Sequence, residues 1–532
     1  MIAWNRTSLS RLPLAFALHL LVAPSLNGQA TPLGGEFRVN SNLNVNKDWP
    51  KIAVAKGGAF QVAWQQPPSS PPSNIFVRRF SAAGANLGND TLVNGTIGYN
   101  STYPAIASLN SSGAFVVVWR SSYGSVTGNN GVTGKLFDSS GGVSVSDFRV
   151  DTYTSSTNFR TPPSVSTDSS GNFVVVWGEN RQYSTILGQR YASSGAPLGG
   201  NFIVFAGTTF SPPTFLQNPV VSMASDGSFV VAFASVTVGN ASNYDLVGQR
   251  FNASGAPLGS LFQVNTYTTG AQKDPAIGRD SSGNFVVVWN NQPSMVAGPI
   301  AARLYGSSGA PIGNEFQVSG AMSYATLPSV ARFPAGDFIV SWTDTTSSDV
   351  HARFFSGSSP VGSEFRVNTY TTYNQYKTSV AADSAGNFTV VWVTQQSADS
   401  PTVHEIQGQR YCPTLTNVSI ALTSGTTNAC PGQTAGTLTV TDTGGGSNSH
   451  QWGYRTSPAG AITSLGGQTG PTYVINTGNA LPAGTSYVVC TTVASCGGTT
   501  LVSNNVTAFV GDVTAPVVSP PTTATVTQTL CQ

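Results

Sequence analysis

Four aspartates recur at one place in the chain: Asp168, Asp226, Asp280 and Asp383, each a few residues ahead of an apolar run such as "FVVVW". A carboxylate in a Gly-containing turn can serve acid–base chemistry, but it can equally accept the backbone N–H bonds of its own turn. Lys56, Asn110 and Pro334 hold the same place in other copies, which favours the turn role. Arginine recurs one residue before an aromatic, at Arg79, Arg190, Arg250, Arg353 and Arg410. A ring of arginines would suit an anion. Leu136 and Leu304 take the same place, however, and leucine replaces arginine where the aliphatic stem does the packing. A third set is aromatic: Tyr153, Tyr267 and Tyr370, each in "TYT", with Trp49, Tyr103, Tyr324, Tyr373 and Tyr376 nearby. Such rings among Asn and Thr stack on sugars or anchor a protein partner, or else plug the crossing between neighbouring units. Trp49, Tyr153, Tyr267 and Tyr370 are the candidate ligand contacts.

Other signatures of chemistry are scarce. His19, His351, His404 and His450 are scattered, with no His-Glu-x-x-His spacing and no Gly-x-Ser-x-Gly elbow. No Asp-x-Asp-x-Asp-Gly calcium loop occurs, so neither a metal nor a cofactor is expected. The acids Asp48, Asp151, Glu179, Asp245, Asp274, Asp344 and Asp349 stand at unrelated places in their repeats, and no catalytic set emerges. With 24 basic against 22 acidic residues and 9% charged residues, the chain has no surface suited to nucleic acid or anionic lipid.

The elements that must position these groups are read from repeats. Apolar runs begin at Phe60, Phe115, Phe173, Phe229, Phe285, Phe338 and Phe388, spaced by 50–58 residues. A short strand such as "PSVSTD" or "PAIGRD" precedes each run across a tight turn. A third strand follows, ending at Phe80, Phe137, Tyr191, Phe251, Tyr305, Phe354 or Tyr411, and then a Gly-rich turn and a fourth strand such as "NFIVF" or "LFQVN". Four short strands per unit with no helical period describe one blade of a β-propeller. Both faces of "FVVVW" are apolar, as a strand buried between two neighbouring blades requires.

The seventh unit stops after its third strand, at "IQGQRYCP". Its missing turn and fourth strand stand at the other end of the chain, in "TPLGGEFRVN". Residues 31–412 are therefore expected to form a seven-bladed propeller, with Phe37–Val39 pairing against Gln407–Tyr411. Residues 1–30, with Arg6 and Arg11 before "LPLAFALHLLVAPSL" and "NGQA", read as a secretory signal peptide. No later stretch is apolar enough for a membrane span.

From 413 the pattern changes. "TLTVT", "HQWGYR" around Trp452, "TSYVVC" around Tyr487 and "VSNNVTAFV" read as an immunoglobulin-like sandwich over 413–512. All five cysteines lie at or beyond Cys412. Cys430 and Cys496 are placed to staple neighbouring edges of that sandwich, although spacing leaves the pairing open, as it leaves the partners of Cys412, Cys490 and Cys531. Residues 513–532 read as a linker and the start of a second similar module.

In its repeats and tail the chain resembles secreted bacterial multi-domain proteins that pair a "GNFVVVW" propeller with immunoglobulin-like or PKD-like modules. The resemblance spans 31–512 and implies architecture, without an activity or site residues. "STDSSGNFVVVW" is also similar to the Asp-box of sialidase-type propellers, with extra residues around the glycine. The resulting expectation is a secreted or cell-surface binding and adhesion protein, its partner a glycan or an extracellular protein. It would be met on the variable loops after the second and fourth strands. A glycan-active hydrolase or lyase and a structural surface-layer component are the alternatives. Enzyme activity is not the favoured reading.

Overall fold

The computed structural model describes residues 30–510 apart from 44, 68–71, 96–99, 110–112, 123–129, 153–159, 181–183, 208–216, 237–243, 294–297, 321–323, 335, 396–402, 414–416, 426–427, 430–433, 444–448, 458, 477–483, 494–499 and 504–505. Among the described residues the chain is all β, without a helix, so no helix there is long and apolar enough to cross a membrane.

Among the described residues seven sheets lie between Ala30 and Pro413; six lay four antiparallel strands side by side in chain order, and the last adds two N-terminal strands to three consecutive ones. In one of the six the strands are Ala271–Arg279, Phe285–Gln292, Ile300–Tyr305 and Pro311–Gln317. Alternation along the second strand explains how the sheets stack. Phe173, Val175 and Trp177 pack with Val116, Val118 and Leu136 of the preceding sheet, whereas Val174 and Val176 pack with Phe229, Val231 and Phe233 of the next. The same arrangement joins the last sheet to the first, where Val391, Val393 and Ile406 share a core with Ile52, Phe60 and Trp64. The innermost strands touch in succession, and Gln375–Ala382 of the last sheet meets Asp48–Val54 of the first. The fold is propeller-like.

The N-terminal segment completes the last sheet. Phe37 and Arg38 stand opposite Gly408 and Gln407, and the Val39 N–H donates to the Ile406 carbonyl at 2.8 Å. Ala30–Pro32 adds a further pairing against Tyr411–Pro413. Sequence reasoning anticipated the first pairing and not the second. The Asn40 side chain also accepts the Ile406 N–H at 2.8 Å, tying down a backbone group that would otherwise be orphaned.

One packing device recurs on the third strand. Gly134, Gly188, Gly248 and Gly408 each lie beneath a phenylalanine of the adjoining outer strand: Phe148, Phe202, Phe262 and Phe37. A Cβ at Gly248 would enter the Phe262 ring, so the ring reaches the core only across a glycine. Gly248→Ala is therefore expected to destabilise the fold by about 1–3 kcal/mol through overpacking, read from a urea unfolding midpoint.

The recurrent aspartates and arginines are structural. Asp168 Oδ1 accepts the N–H groups of Ser170 and Asn172, at 2.8 and 2.9 Å, and Asp280 and Asp383 repeat that pattern. Arg79, Arg190 and Arg410 reach the next sheet's turn, donating to the carbonyls of Ser139, Ala253 and Ala83.

Beyond Pro413 two more sheets form. One joins Asn417–Gly425, Thr434–Thr443 and Thr472–Asn476; the other is built around Ser449–Arg455 and Gly484–Val493. Trp452 is buried, stacks on Tyr473 and donates its indole N–H to the Gly470 carbonyl at 2.8 Å. Cys490 is buried, and Cys412 is disulfide-bonded. Cys430, Cys496 and Cys531 lie outside the described residues, as do residues 1–29 of the leader and all of 513–532.

Candidate active site

The innermost strand of most sheets opens with a residue followed by proline: Trp49-Pro50, Tyr103-Pro104, Asn218-Pro219, Asp274-Pro275 and Leu327-Pro328. Lys377-Thr378 holds the place in the last sheet. Proline offers no N–H to the ladder, so the strand cannot pair continuously through it. The pairing register slips at this point in all six strands. The residue ahead takes a left-handed φ, from 41° at Asn218 to 54° at Tyr103 and Lys377. Non-glycine side chains rarely adopt that conformation, and such bulges re-aim a side chain out of its sheet. The third sheet departs from the pattern: its first strand starts only at Ser164, after Pro162 and Pro163.

The six re-aimed side chains meet around the axis of the ring. With Lys51, Arg120, Thr161 and Glu179 they line a cavity of about 650 Å³. That volume lies within the usual range for small-molecule sites. The bulges thus convert seven similar sheets into one irregular chamber.

Its chemistry is uneven around the ring. Trp49 and Tyr103 form an aromatic wall, with ring centroids 5.1 Å apart. The Arg120 guanidinium lies 4.7 Å from the Tyr103 centroid, and Lys377 Nζ 4.3 Å from that of Trp49. Lys377 is also ion-paired with Asp48 at 2.7 Å, and Arg120 Nε donates to Thr102 Oγ1 at 3.1 Å. Opposite this wall stands Asp274, which accepts a long hydrogen bond from the Asn218 amide at 3.4 Å. Burial raises the Asp274 carboxyl above its ordinary range, against the weaker opposing pull of Asn218, Lys273 and Lys51. Burial lowers Lys51 below the ordinary lysine range, with Asp274 pulling it back.

Behind the wall, Arg160 is fully buried between two carboxylates. It bonds Asp151 at 3.1 Å and is ion-paired with Glu179, which is buried at the cavity wall. Removing one partner from such a group leaves uncompensated charge inside the protein. Arg160→Ala is expected to lower stability by about 3–5 kcal/mol, measured by denaturant titration.

Of the aromatic contacts expected from sequence, Trp49 lines the cavity. Tyr267 and Tyr370 do not; they are 42% and 36% exposed, so they do not plug a crossing between sheets. Tyr153 lies outside the described residues. Of the expected acids, Asp274 and Glu179 reach the cavity, whereas Asp245 and Asp349 bind the side chains of Asn265 and Asn368. Lys51, Asn218, Arg120, Leu327 and Lys377 went unnoticed in the sequence. The signal that could have found Asn218 and Leu327 is the residue before proline near the head of an innermost strand. Among the described residues no cluster of three or more His, Cys, Asp or Glu suits a metal.

No protein-family model matches the chain, and no curated protein matches it. Solved structures do match. A protein of unknown function from Dyadobacter fermentans is 10% identical with a TM-score of 0.46, covering 72% of this chain and 99% of that one. The leech intramolecular trans-sialidase is 12% identical with a TM-score of 0.40, covering 70% and 69%. The Penicillium chrysogenum α-L-arabinanase is 13% identical with a TM-score of 0.39, covering 72% and 97%. Two of these three are named as glycan-acting enzymes and none as an adhesin. The expectation of a binding and adhesion protein met on variable loops is corrected by the site that the described residues form, in which Trp49, Tyr103, Lys51, Arg120, Glu179 and Asp274 converge on an axial cavity.

Proposed function

We propose that the chain is a glycan-active hydrolase working in the axial cavity. One observation carries the reading: an aromatic wall, Trp49 and Tyr103, shares a chamber with Asp274, an acid that burial raises above its ordinary range. Sugar rings present apolar faces that stack on indole and phenol. Glycoside hydrolysis needs a proton for the departing oxygen and a second carboxylate to support the oxocarbenium-like transition state. Asp274 is the proton donor, because burial favours its protonated form, the form that serves a general acid. Glu179 is the second carboxylate, held in place by Arg160. The left-handed backbone at Asp274 and Trp49 fits a site that accepts local strain in exchange for placement.

The same proposal includes the finer architecture: a seven-bladed propeller closed by Phe37–Val39, followed by an immunoglobulin-like sandwich around Trp452, on a chain exported under the leader at 1–30. Tyr267 and Tyr370, exposed on loops before the innermost strands, are then outer contacts for a longer glycan. The test is a panel of neutral and acidic polysaccharides assayed for new reducing ends. Release from at least one supports the reading. No release from any member, with the protein folded, overturns it.

A further inference from the structure

Among the described residues, every cation around the cavity except one is already committed. Lys377 is paired with Asp48, Glu179 and Asp151 share Arg160, and Arg120 stacks on Tyr103 while donating to Thr102. Lys51 is the exception. It follows the bulge at Trp49-Pro50, lines the same cavity and is half-buried. Among the described residues its ammonium meets no carboxylate or carbonyl at hydrogen-bond distance. Asp274, on a sheet that is not its neighbour in the ring, is the one acid whose field reaches it. An ammonium withdrawn from water without a counter-ion is unfavourable, and an arriving anion relieves that cost. The aromatic wall is formed by Trp49, two residues away, and its partner Tyr103.

We infer that the cavity takes a sugar bearing a carboxylate, a uronic acid unit, and that Lys51 receives that carboxylate while the ring stacks on Trp49 and Tyr103. The inference rests on the reading of the cavity as a glycan site and specifies its substrate class. A hexuronate differs from the parent hexose by a carboxylate in place of a hydroxymethyl group, so the pair isolates the role of Lys51. A charge-assisted hydrogen bond in a partly dry site is worth about tenfold or more in affinity.

The experiment is a ligand-observed NMR titration of the full chain with methyl glucuronide and methyl glucoside. Wild type is expected to bind the glucuronide at least about tenfold more tightly. Lys51→Met, which keeps the stem, should erase that preference, and Lys51→Arg should restore part of it. Equal affinities in wild type, or a preference that survives Lys51→Met, would overturn the inference. The wild-type comparison decides the matter alone if Lys51→Met does not fold. Cleavage of neutral glycans without a uronate preference would sink this inference and leave the hydrolase reading standing. Uronate binding without cleavage of any glycan would do the reverse.

Discussion

A chain lacking residues 31–40 is expected to lose at least about 5 kcal/mol of stability and to aggregate as it unfolds. Val39 is fully buried in the core shared by the first and last sheets, and Phe37 packs on Phe60 and Phe80 at 6.0 and 5.4 Å. Removing a fully buried phenylalanine costs about 3–5 kcal/mol, the partly buried Phe37 less than that, and a buried valine about 1.5–3 kcal/mol. Loss of the segment also strips hydrogen bonds from His404–Pro413, leaving an unpaired edge in place of a closed ring. Thermal melting with light scattering reads both effects. Phe37→Ala alone should give an intermediate loss. A deletion variant that melts within a degree or two of wild type would show that closure contributes little.

Asp274→Asn is expected to slow glycan cleavage by about 10²–10⁴-fold while leaving the fold intact, since amide and carboxyl are the same shape. The acid must carry its proton to act, so the rate should fall as pH rises through the raised Asp274 value. Stability follows the same sign. A carboxyl whose folded value lies above its unfolded one binds more protons when folded, so its contribution is most favourable at low pH. It is lost as pH rises from the ordinary carboxylate range through the raised one. Asp274→Asn should therefore melt no lower than wild type at neutral pH, and higher in alkaline buffer. A variant that loses activity and stability together would assign Asp274 a structural role.

The scaffold was legible because its constraints repeat. Seven copies of an aromatic–apolar run expose the strand period, and "TPLGGEFRVN" could be recognised as a displaced fourth strand because other copies spell it in place. The cavity was much less legible. Its residues share a position and not a type: Trp49, Tyr103, Asn218, Asp274, Leu327 and Lys377 have no common chemistry. What they share is a bulged, left-handed backbone, announced in sequence only by the proline that follows five of them. The repeated "TYT" tyrosines drew attention because repetition is conspicuous, yet Tyr267 and Tyr370 stand outside the cavity. In a ring of similar sheets, repetition marks the frame, and chemistry lies where the copies differ.

The most direct test is the rate of reducing-end release from one susceptible glycan, measured across pH for wild type and Asp274→Asn side by side. Wild-type activity is expected to decline toward alkaline pH, and the variant, still folded, to fall by at least about a hundredfold. An Asp274→Asn protein that cleaves at the wild-type rate with an unchanged pH profile would contradict this expectation.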